Sequence, residues 1–176
     1  MTDVLSSEPV ADVRSNATVR RAKGSDASSI ASLYAQLVNN PAVSVLPQTI
    51  DALAANGKSA LLVCEVDAQV FATALVCLCE DVMFTTQPFA VVENVVVDSA
   101  LRGQGIGRAL FQAIEDFCRD SQCSKIMLMS SASRTDAHRF FERAGYAGSV
   151  KRGFVKYRRD FAPLPAPPVG INTQII

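Results

Sequence analysis

One stretch of the chain decides the fold: Val95-Val96-Val97-Asp98-Ser99-Ala100-Leu101-Arg102-Gly103-Gln104-Gly105-Ile106-Gly107-Arg108. An apolar strand leads into a loop with three alternating glycines, and an amphipathic helix follows. The first N–H groups of a helix lack intrahelical acceptors, and together with the helix dipole they attract anions. Glycines let the main chain approach a phosphate closely, and Arg102 and Arg108 add charged donors. The stretch predicts a phosphate site, the alternative being a tight corner without a ligand.

The sequence of this loop does not match two common phosphate-binding motifs. A dinucleotide fingerprint, Gly-x-Gly-x-x-Gly, starting at Gly103 requires a third glycine at the position that Arg108 occupies. A P-loop ends in Gly-Lys-Ser/Thr, whereas Gly107 is followed by Arg108 and Ala109. Neither a Rossmann domain nor a P-loop NTPase is predicted.

The hydrophobic spacing around the loop predicts one α+β domain. Strands are expected over residues 18–22, 60–66, 70–78, 91–97 and 126–129, with a final hairpin over 146–150 and 154–159. Helices are expected from Asp26 to about residue 38, over 49–55 and 105–120, and from a capping box at 133–136 to Gly145. A strand–helix–strand unit crosses over right-handed, so the strands at 91–97 and 126–129 should form a parallel pair.

Composition excludes several classes of protein. The 176 residues are 49% hydrophobic and 19% charged, as in globular chains. With 17 basic and 17 acidic residues the net charge is zero, which argues against nucleic-acid binding. Neither a membrane span nor a signal peptide is recognised, so we expect a cytoplasmic protein without membrane contact. Five cysteines and a single histidine, His138, predict reduced core thiols and no metal site.

Three ordered motifs resemble the GNAT superfamily of N-acetyltransferases. Residues 102–107 match its acyl-CoA-binding motif, Gln/Arg-x-x-Gly-x-Gly/Ala, at every position. Residues 93–97 are similar to its fourth strand, and residues 137–146 to its Ala-x-x-Phe-Tyr-Glu-x-x-Gly-Phe signature. The resemblance implies a central, mostly antiparallel sheet with a splayed parallel strand pair, flanked by helices. We expect that domain over 17–162, an N-terminal tail over 1–16 and a Pro-rich C-terminal tail over 163–176.

The resemblance also implies where acetyl-CoA, the acyl donor, binds. Its pyrophosphate would lie on the loop from Arg102 to Arg108, and its pantetheine arm would pair with the strand like an added strand. A strand amide near Val95 would polarise the thioester carbonyl. Arg134 stands where many relatives have Asn and could bind a phosphate. The expected acetyl-CoA contacts are Val95, Val96, Val97, Arg102, Gly103, Gln104, Gly105, Ile106, Gly107, Arg108 and Arg134.

Glu93 is the candidate catalytic base. It is a carboxylate in an apolar strand, and strict alternation places it on the same face as Val91, Val95 and Val97. Relatives often use a Glu here to deprotonate the acceptor amine; a salt-bridged or exposed structural Glu is the alternative. The Tyr that protonates the leaving thiolate in many relatives is replaced by Phe141.

The resemblance predicts transfer of an acetyl group from acetyl-CoA to a primary amine of a small molecule, by direct attack in a ternary complex. A CoA-binding regulatory or interaction module with little turnover is the alternative, supported by Phe141 and Arg134. Residues 93–98 look like the strand of amino-sugar-phosphate acetyltransferases, but such strands recur across the superfamily. The acceptor stays open, as does the choice between monomer and homodimer.

Overall fold

The computed structural model describes residues 16–161, so residues 1–15 of the predicted N-terminal tail, residue 162 and the whole predicted C-terminal tail over 163–176 lie outside this range. Short 3₁₀ turns at Gly24–Asp26, Ser99–Leu101 and Arg158–Asp160 accompany the main elements. These are β1 (Ala17–Arg21), α1 (Ala27–Leu37), α2 (Pro47–Ala55), β2 (Ser59–Val66), β3 (Gln69–Cys79), β4 (Phe89–Val97), α3 (Ile106–Asp120), β5 (Ile126–Leu128) and α4 (Thr135–Arg143). Each lies within a few residues of its predicted position.

The five strands form one mixed sheet in the order β1-β2-β3-β4-β5. The first four are antiparallel, while β4 and β5 are parallel, which confirms the predicted α+β fold and its parallel pair. The parallel pairing stops at Val92↔Leu128, whereas β4 continues to Val97. In the described chain β4 therefore has no paired neighbour on its β5 side from Glu93 to Val97; we call this unpaired stretch, which leads into the glycine loop, the splay.

Helices cover both faces of the sheet, each over its own core. One face packs against α3, whose buried residues recur at helical spacing: Ile106, Leu110, Phe111, Ile114 and Cys118. The opposite face packs against α1 and α2 through a smaller cluster of Ala22, Ala27, Ile30, Ile50, Leu61 and Val63. We refer to these as the α3 face and the α1 face.

An ion-pair network closes the edge of the α1 face. Arg20 on β1 donates to both carboxylate oxygens of Asp26, at 2.8 and 3.0 Å, and to Glu65 on β2. The main-chain N–H of Lys23 also donates to Asp26. These donors, with Arg20 first, lower the pKa of Asp26 even though burial opposes the shift. The network fixes the start of α1 against β1 and β2.

The predicted final hairpin is wrong. No strand forms over 146–150 or 154–159: the first range includes a turn, the second runs into the 3₁₀ turn at Arg158–Asp160, and Phe154 is 86% exposed. A strand requires a neighbour that offers main-chain partners, and β5, with only three residues, offers a very short edge. The alternation of apolar and basic residues over 154–159 indicated a segment that could form a strand, but it could not show whether a neighbouring strand was present.

The two ends of α4 differ in how well their sequence signals work. The predicted capping box at 133–136 is wrong: Arg134 is the N-cap, and Ser133 bonds instead to the Ser131 hydroxyl at 3.1 Å. The predicted C-terminal glycine is confirmed, since Gly145 has φ +90° and its N–H bonds to Glu142. With a second bond from the next N–H, to Phe141, this is a Schellman motif.

Candidate active site

A β-bulge in β4 shapes the site. The register pairs on its two sides are Thr73↔Val96 and Leu75↔Glu93. Ala74 of β3 therefore faces two residues of β4, Asn94 and Val95, and the extra residue reverses the alternation of side chains beyond it. Asn94 has φ +55°, a left-handed conformation that Asn tolerates better than most residues.

The bulge corrects the predicted orientation of Glu93. Residues directly opposite in an antiparallel pair share a face, so Glu93 lies on the α1 face with Leu75. Val95 and Val97 pack on the α3 face instead. The expectation that Glu93 shares a face with Val95 and Val97 is wrong, because it assumed unbroken alternation. The carboxylate and the predicted pantetheine contacts lie on opposite sides of the sheet.

Glu93 is half-buried, and its carboxylate is unpaired in the described part of the chain. Between residues 16 and 161 its carboxylate has no ion-pair or hydrogen-bond partner. This differs from Asp26 and Glu65, whose carboxylates are held by Arg20. A structural carboxylate on a strand is normally paired when it is partly buried. An unpaired carboxylate at this position can accept a proton from a bound group.

A buried polar group ties the bulge to α1. The Tyr34 hydroxyl lies near the side chains of Asn94 and Thr73, which act to lower its pKa, yet burial dominates and raises it. Thr73 is fully buried, and its own hydroxyl donates to the carbonyl of Leu62 at 2.9 Å. The bulge residue Asn94 thus lies against Tyr34 of α1, which in turn lies against Thr73 of the central strand β3.

The main chain of β4 borders the splay beyond the bulge. The N–H of Ala90, a residue on the α3 face, points towards β5 and donates to the carbonyl of Lys125. Main-chain N–H groups alternate in direction along a strand, so those of other β4 residues on the α3 face also point to the β5 side. Beyond the bulge these residues are Val95 and Val97, while Val96 is buried on the α1 face. Arg102 reaches back to this edge, where its Nε donates to the carbonyl of Val97 at 3.1 Å.

The glycine loop presents free helix-terminal amides. Ala109 donates to the carbonyl of Gly105 at 3.1 Å, so the preceding amides at residues 106–108 have no acceptor four residues earlier. Gly103 and Gly105 have φ of +79° and +89°, conformations that L side chains rarely adopt. A Cβ on Gly103 would meet open space, whereas one on Gly107 would lie 3.3 Å from Phe140 of α4. The first glycine leaves the loop open, and the last allows α3 and α4 to pack.

The side chains around the loop fall into two groups. Arg108 and Arg134 are exposed, and neither forms an ion pair with any residue that the structure describes. Arg102 and Gln104 instead support the loop's own main chain, since Gln104 donates to the carbonyl of Ala100. Arg108 and Arg134 are therefore the cations available to a bound anion.

Aromatic packing decides the roles of Phe141 and Tyr146. Both rings lie 5.6 Å from Phe111, in the α3 core. The Tyr146 hydroxyl is buried without a partner in the described part of the chain, and burial raises its pKa well above the usual value. Tyr146 is a core residue.

The cysteines and the histidine offer no activated nucleophile. All five cysteines are free thiols. Burial raises the pKa of Cys64 and, with Cys123 nearby, raises that of Cys118 to about 12, so both thiolates are disfavoured. The ring of His138 bonds to the carbonyl of Ser131 at 3.0 Å. Within residues 16–161 no three His, Cys, Asp or Glu side chains converge on a possible metal position, and no helix is long and apolar enough to cross a membrane.

Sequence reasoning missed four residues at the site. Asn94 carried a usable signal, because Asn inside a run of valines favours a bulge or turn. Tyr34, Thr73 and Ser130 carried none. The Ser130 hydroxyl lies just beyond the end of β5 and is buried without a partner in the described chain. An orphaned hydroxyl beside a splay is a candidate partner for a polar ligand inserted there.

The comparisons with known proteins agree with this architecture. A putative acetyltransferase from Agrobacterium tumefaciens str. C58 is 26% identical, with a TM-score of 0.71 over 80% of this chain and 99% of that one. A glucosamine-6-phosphate N-acetyltransferase from Arabidopsis thaliana shares the fold at 22% identity, with a TM-score of 0.69 over 81% and 98% of the two chains.

Sequence comparison gives the family. The uncharacterized protein YdhI of Bacillus subtilis (strain 168) is 32% identical over 54 residues, 31% of this chain and 34% of that protein. The chain thus spans about a third of the length of this curated relative. The profile of the Acetyltransferase (GNAT) family matches residues 19–146, from β1 to the end of the α4 motif. With the splayed strand pair and the glycine loop between its matched ends, this chain belongs to the GNAT acetyltransferase family.

Proposed function

We propose that the protein transfers the acetyl group of acetyl-CoA to a primary amine of a small molecule by direct attack. The observation that carries the proposal is the unpaired Glu93 carboxylate one residue before the bulge, beside the splay that opens between β4 and β5. Membership of an acetyltransferase family supports acyl transfer in general. The donor and the acceptor are our inference.

The residues at the splay fit acetyl-CoA. The amides at residues 106–108, the open side of Gly103 and the cations of Arg108 and Arg134 suit a pyrophosphate. The edge of β4 at Val95 and Val97, with the orphaned Ser130 hydroxyl, suits the amide groups of a pantetheine arm. Acetyl-CoA supplies an activated thioester there.

The chain's own groups account for the rest of the reaction. Glu93 takes a proton from the acceptor amine, directly or through water, and leaves the nitrogen lone pair free to attack. The N–H of Val95 donates to the thioester carbonyl oxygen, a contact commonly worth a few kcal/mol when preorganised. Phe141 supplies no acid, so water protonates the thiolate, whose pKa near 8.5 makes it a good leaving group.

The test is Glu93→Gln, with Glu80→Gln as the matched control, since Glu80 is an exposed carboxylate in the loop after β3. We expect Glu93→Gln to lower kcat by roughly 10²–10⁴ without changing the Kd for acetyl-CoA. Release of free thiol and isothermal titration measure the two quantities. An unchanged kcat between pH 6 and 9 would mean that Glu93 is structural.

A CoA-binding module without turnover is the second candidate, favoured by the absence of an acid at Phe141. It predicts that wild type binds acetyl-CoA and releases no thiol with any amine. Thiol release above the amine-free rate excludes it.

A further inference from the structure

The α1 face contains a cavity that neither the glycine loop nor the splay uses. It has a volume of about 210 Å³ and lies where α1, α2 and the loop between them do not fill the space above β2 and β3. It borders the smaller core, and Leu61 and Leu75 form its floor. Its walls include Tyr34 of α1, Val45 and Leu46 of the loop, and Leu53 of α2.

The cavity lies on the same face of the sheet as Glu93, one residue away from it, although neither Glu93 nor Val95 lines it. Leu75 of its floor is the cross-strand partner of Glu93, so the two side chains are neighbours on the α1 face. Tyr34 of its wall has its hydroxyl near the side chain of Asn94, the residue directly before Val95. A molecule that extends from the cavity past Leu75 is directed towards the Glu93 carboxylate.

The lining selects a class of ligand. No Asp, Glu, Lys or Arg lines the cavity within the described chain, and its polar groups are hydroxyls of Tyr34, Ser44 and Thr49. A phosphate, a sugar or a second ionised group placed there would lose its hydration without gaining a charged partner. An alkyl or aromatic group would instead gain from burial. A cavity of about 150 Å³ holds a benzene ring, so this one suits a group of about five or six carbons.

We infer that the acceptor is a primary amine carrying a single apolar group, which occupies this cavity while the amine nitrogen lies at Glu93. The inference rests on the proposed function and names its acceptor class. Nitrogen gains the acetyl carbon as the carbon–sulfur bond breaks, the thiolate takes up a proton from water, and the amine's proton passes to Glu93 and then to solvent.

The first experiment measures kcat/KM for ethylamine, propylamine, butylamine and pentylamine by thiol release from acetyl-CoA. We expect about a fourfold rise for each added methylene, the factor that about 0.8 kcal/mol per buried CH₂ produces. The matched control substrate is 5-aminopentanoate, in which a carboxylate replaces the terminal methyl of pentylamine. We expect it, and glucosamine 6-phosphate, to react at least about 100-fold less efficiently than pentylamine.

The second experiment fills the cavity. We expect Val45→Phe to lower kcat/KM for pentylamine at least about tenfold and to change that for ethylamine less than about twofold. Val38→Phe is the control, since Val38 is 46% exposed on the same loop and does not line the cavity. Because the wild-type series needs no variant, the inference stays testable if Val45→Phe unfolds.

The outcomes separate the two proposals. A flat alkyl series, or a preference for 5-aminopentanoate or glucosamine 6-phosphate, overturns the inferred acceptor class and leaves acetyl transfer standing. Absence of thiol release with every amine overturns the proposed function, and the acceptor class with it.

Discussion

Replacing Asn94 tests whether the bulge positions the reacting groups. Asn94→Ala forces a Cβ residue without a local hydrogen bond into φ +55°, at a cost of about 1–2 kcal/mol. It also removes the polar contact of the Asn94 side chain with Tyr34, worth about 0.5 kcal/mol at this exposed position, while Tyr34 keeps Thr73 as a neighbour. Asn94→Gly removes the same contact but accepts the conformation. We therefore expect Ala to destabilise the fold by about 2 kcal/mol and Gly by less than about 1 kcal/mol.

The effect on catalysis should follow the conformation more than the polar contact. If Asn94→Ala relaxes the bulge, regular alternation returns and turns Val95 and Val97 away from the splay, and a misplacement of about 1 Å can cost about 100-fold in rate. Asn94→Gly should stay within about fivefold of wild type, because a polar contact of about 0.5–1 kcal/mol corresponds to that factor. Urea unfolding and thiol release at saturating acetyl-CoA measure the two effects. Equal kcat values for the Ala and Gly variants would refute a positioning role for the bulge.

Two further predictions concern the loop and the ion-pair network. Gly105→Ala should destabilise the fold by about 1–2 kcal/mol and weaken the thermal shift that acetyl-CoA produces, because Gly105 has φ +89°. The control Gly57→Ala, at a glycine with open space around it, should change neither the stability nor the thermal shift, both measured by differential scanning fluorimetry. The lowered pKa of Asp26 contributes stability that is present above the usual carboxyl pKa of 3.8 and is lost as pH falls through the folded value. Asp26→Asn should therefore flatten the decline in unfolding free energy between pH 5 and 3. Parallel declines for wild type and Asp26→Asn over this pH range would contradict this.

Local signals in the sequence determined most of the fold. The alternating glycines before an amphipathic helix indicated the strand–loop–helix unit, and helical spacing of apolar residues placed α1, α3 and α4. Gly145 ended α4 because its conformation depends on residues within one turn. Such features depend on neighbours along the chain, and the order of motifs was enough to indicate the family.

Tertiary structure decided the features that depend on distant partners. Residues 154–159 had a strand pattern but found no neighbouring strand, and the direction of Glu93 depended on how β4 pairs with β3. One extra residue at Asn94 moved Glu93 to the face opposite Val95, next to a cavity built by α1 and α2. Side-chain alternation is a property of a single strand, whereas a bulge belongs to a pair of strands. The sequence alone therefore indicated the candidate residues for acyl transfer, and the pairing of β3 with β4 decided on which side of the sheet each candidate lies.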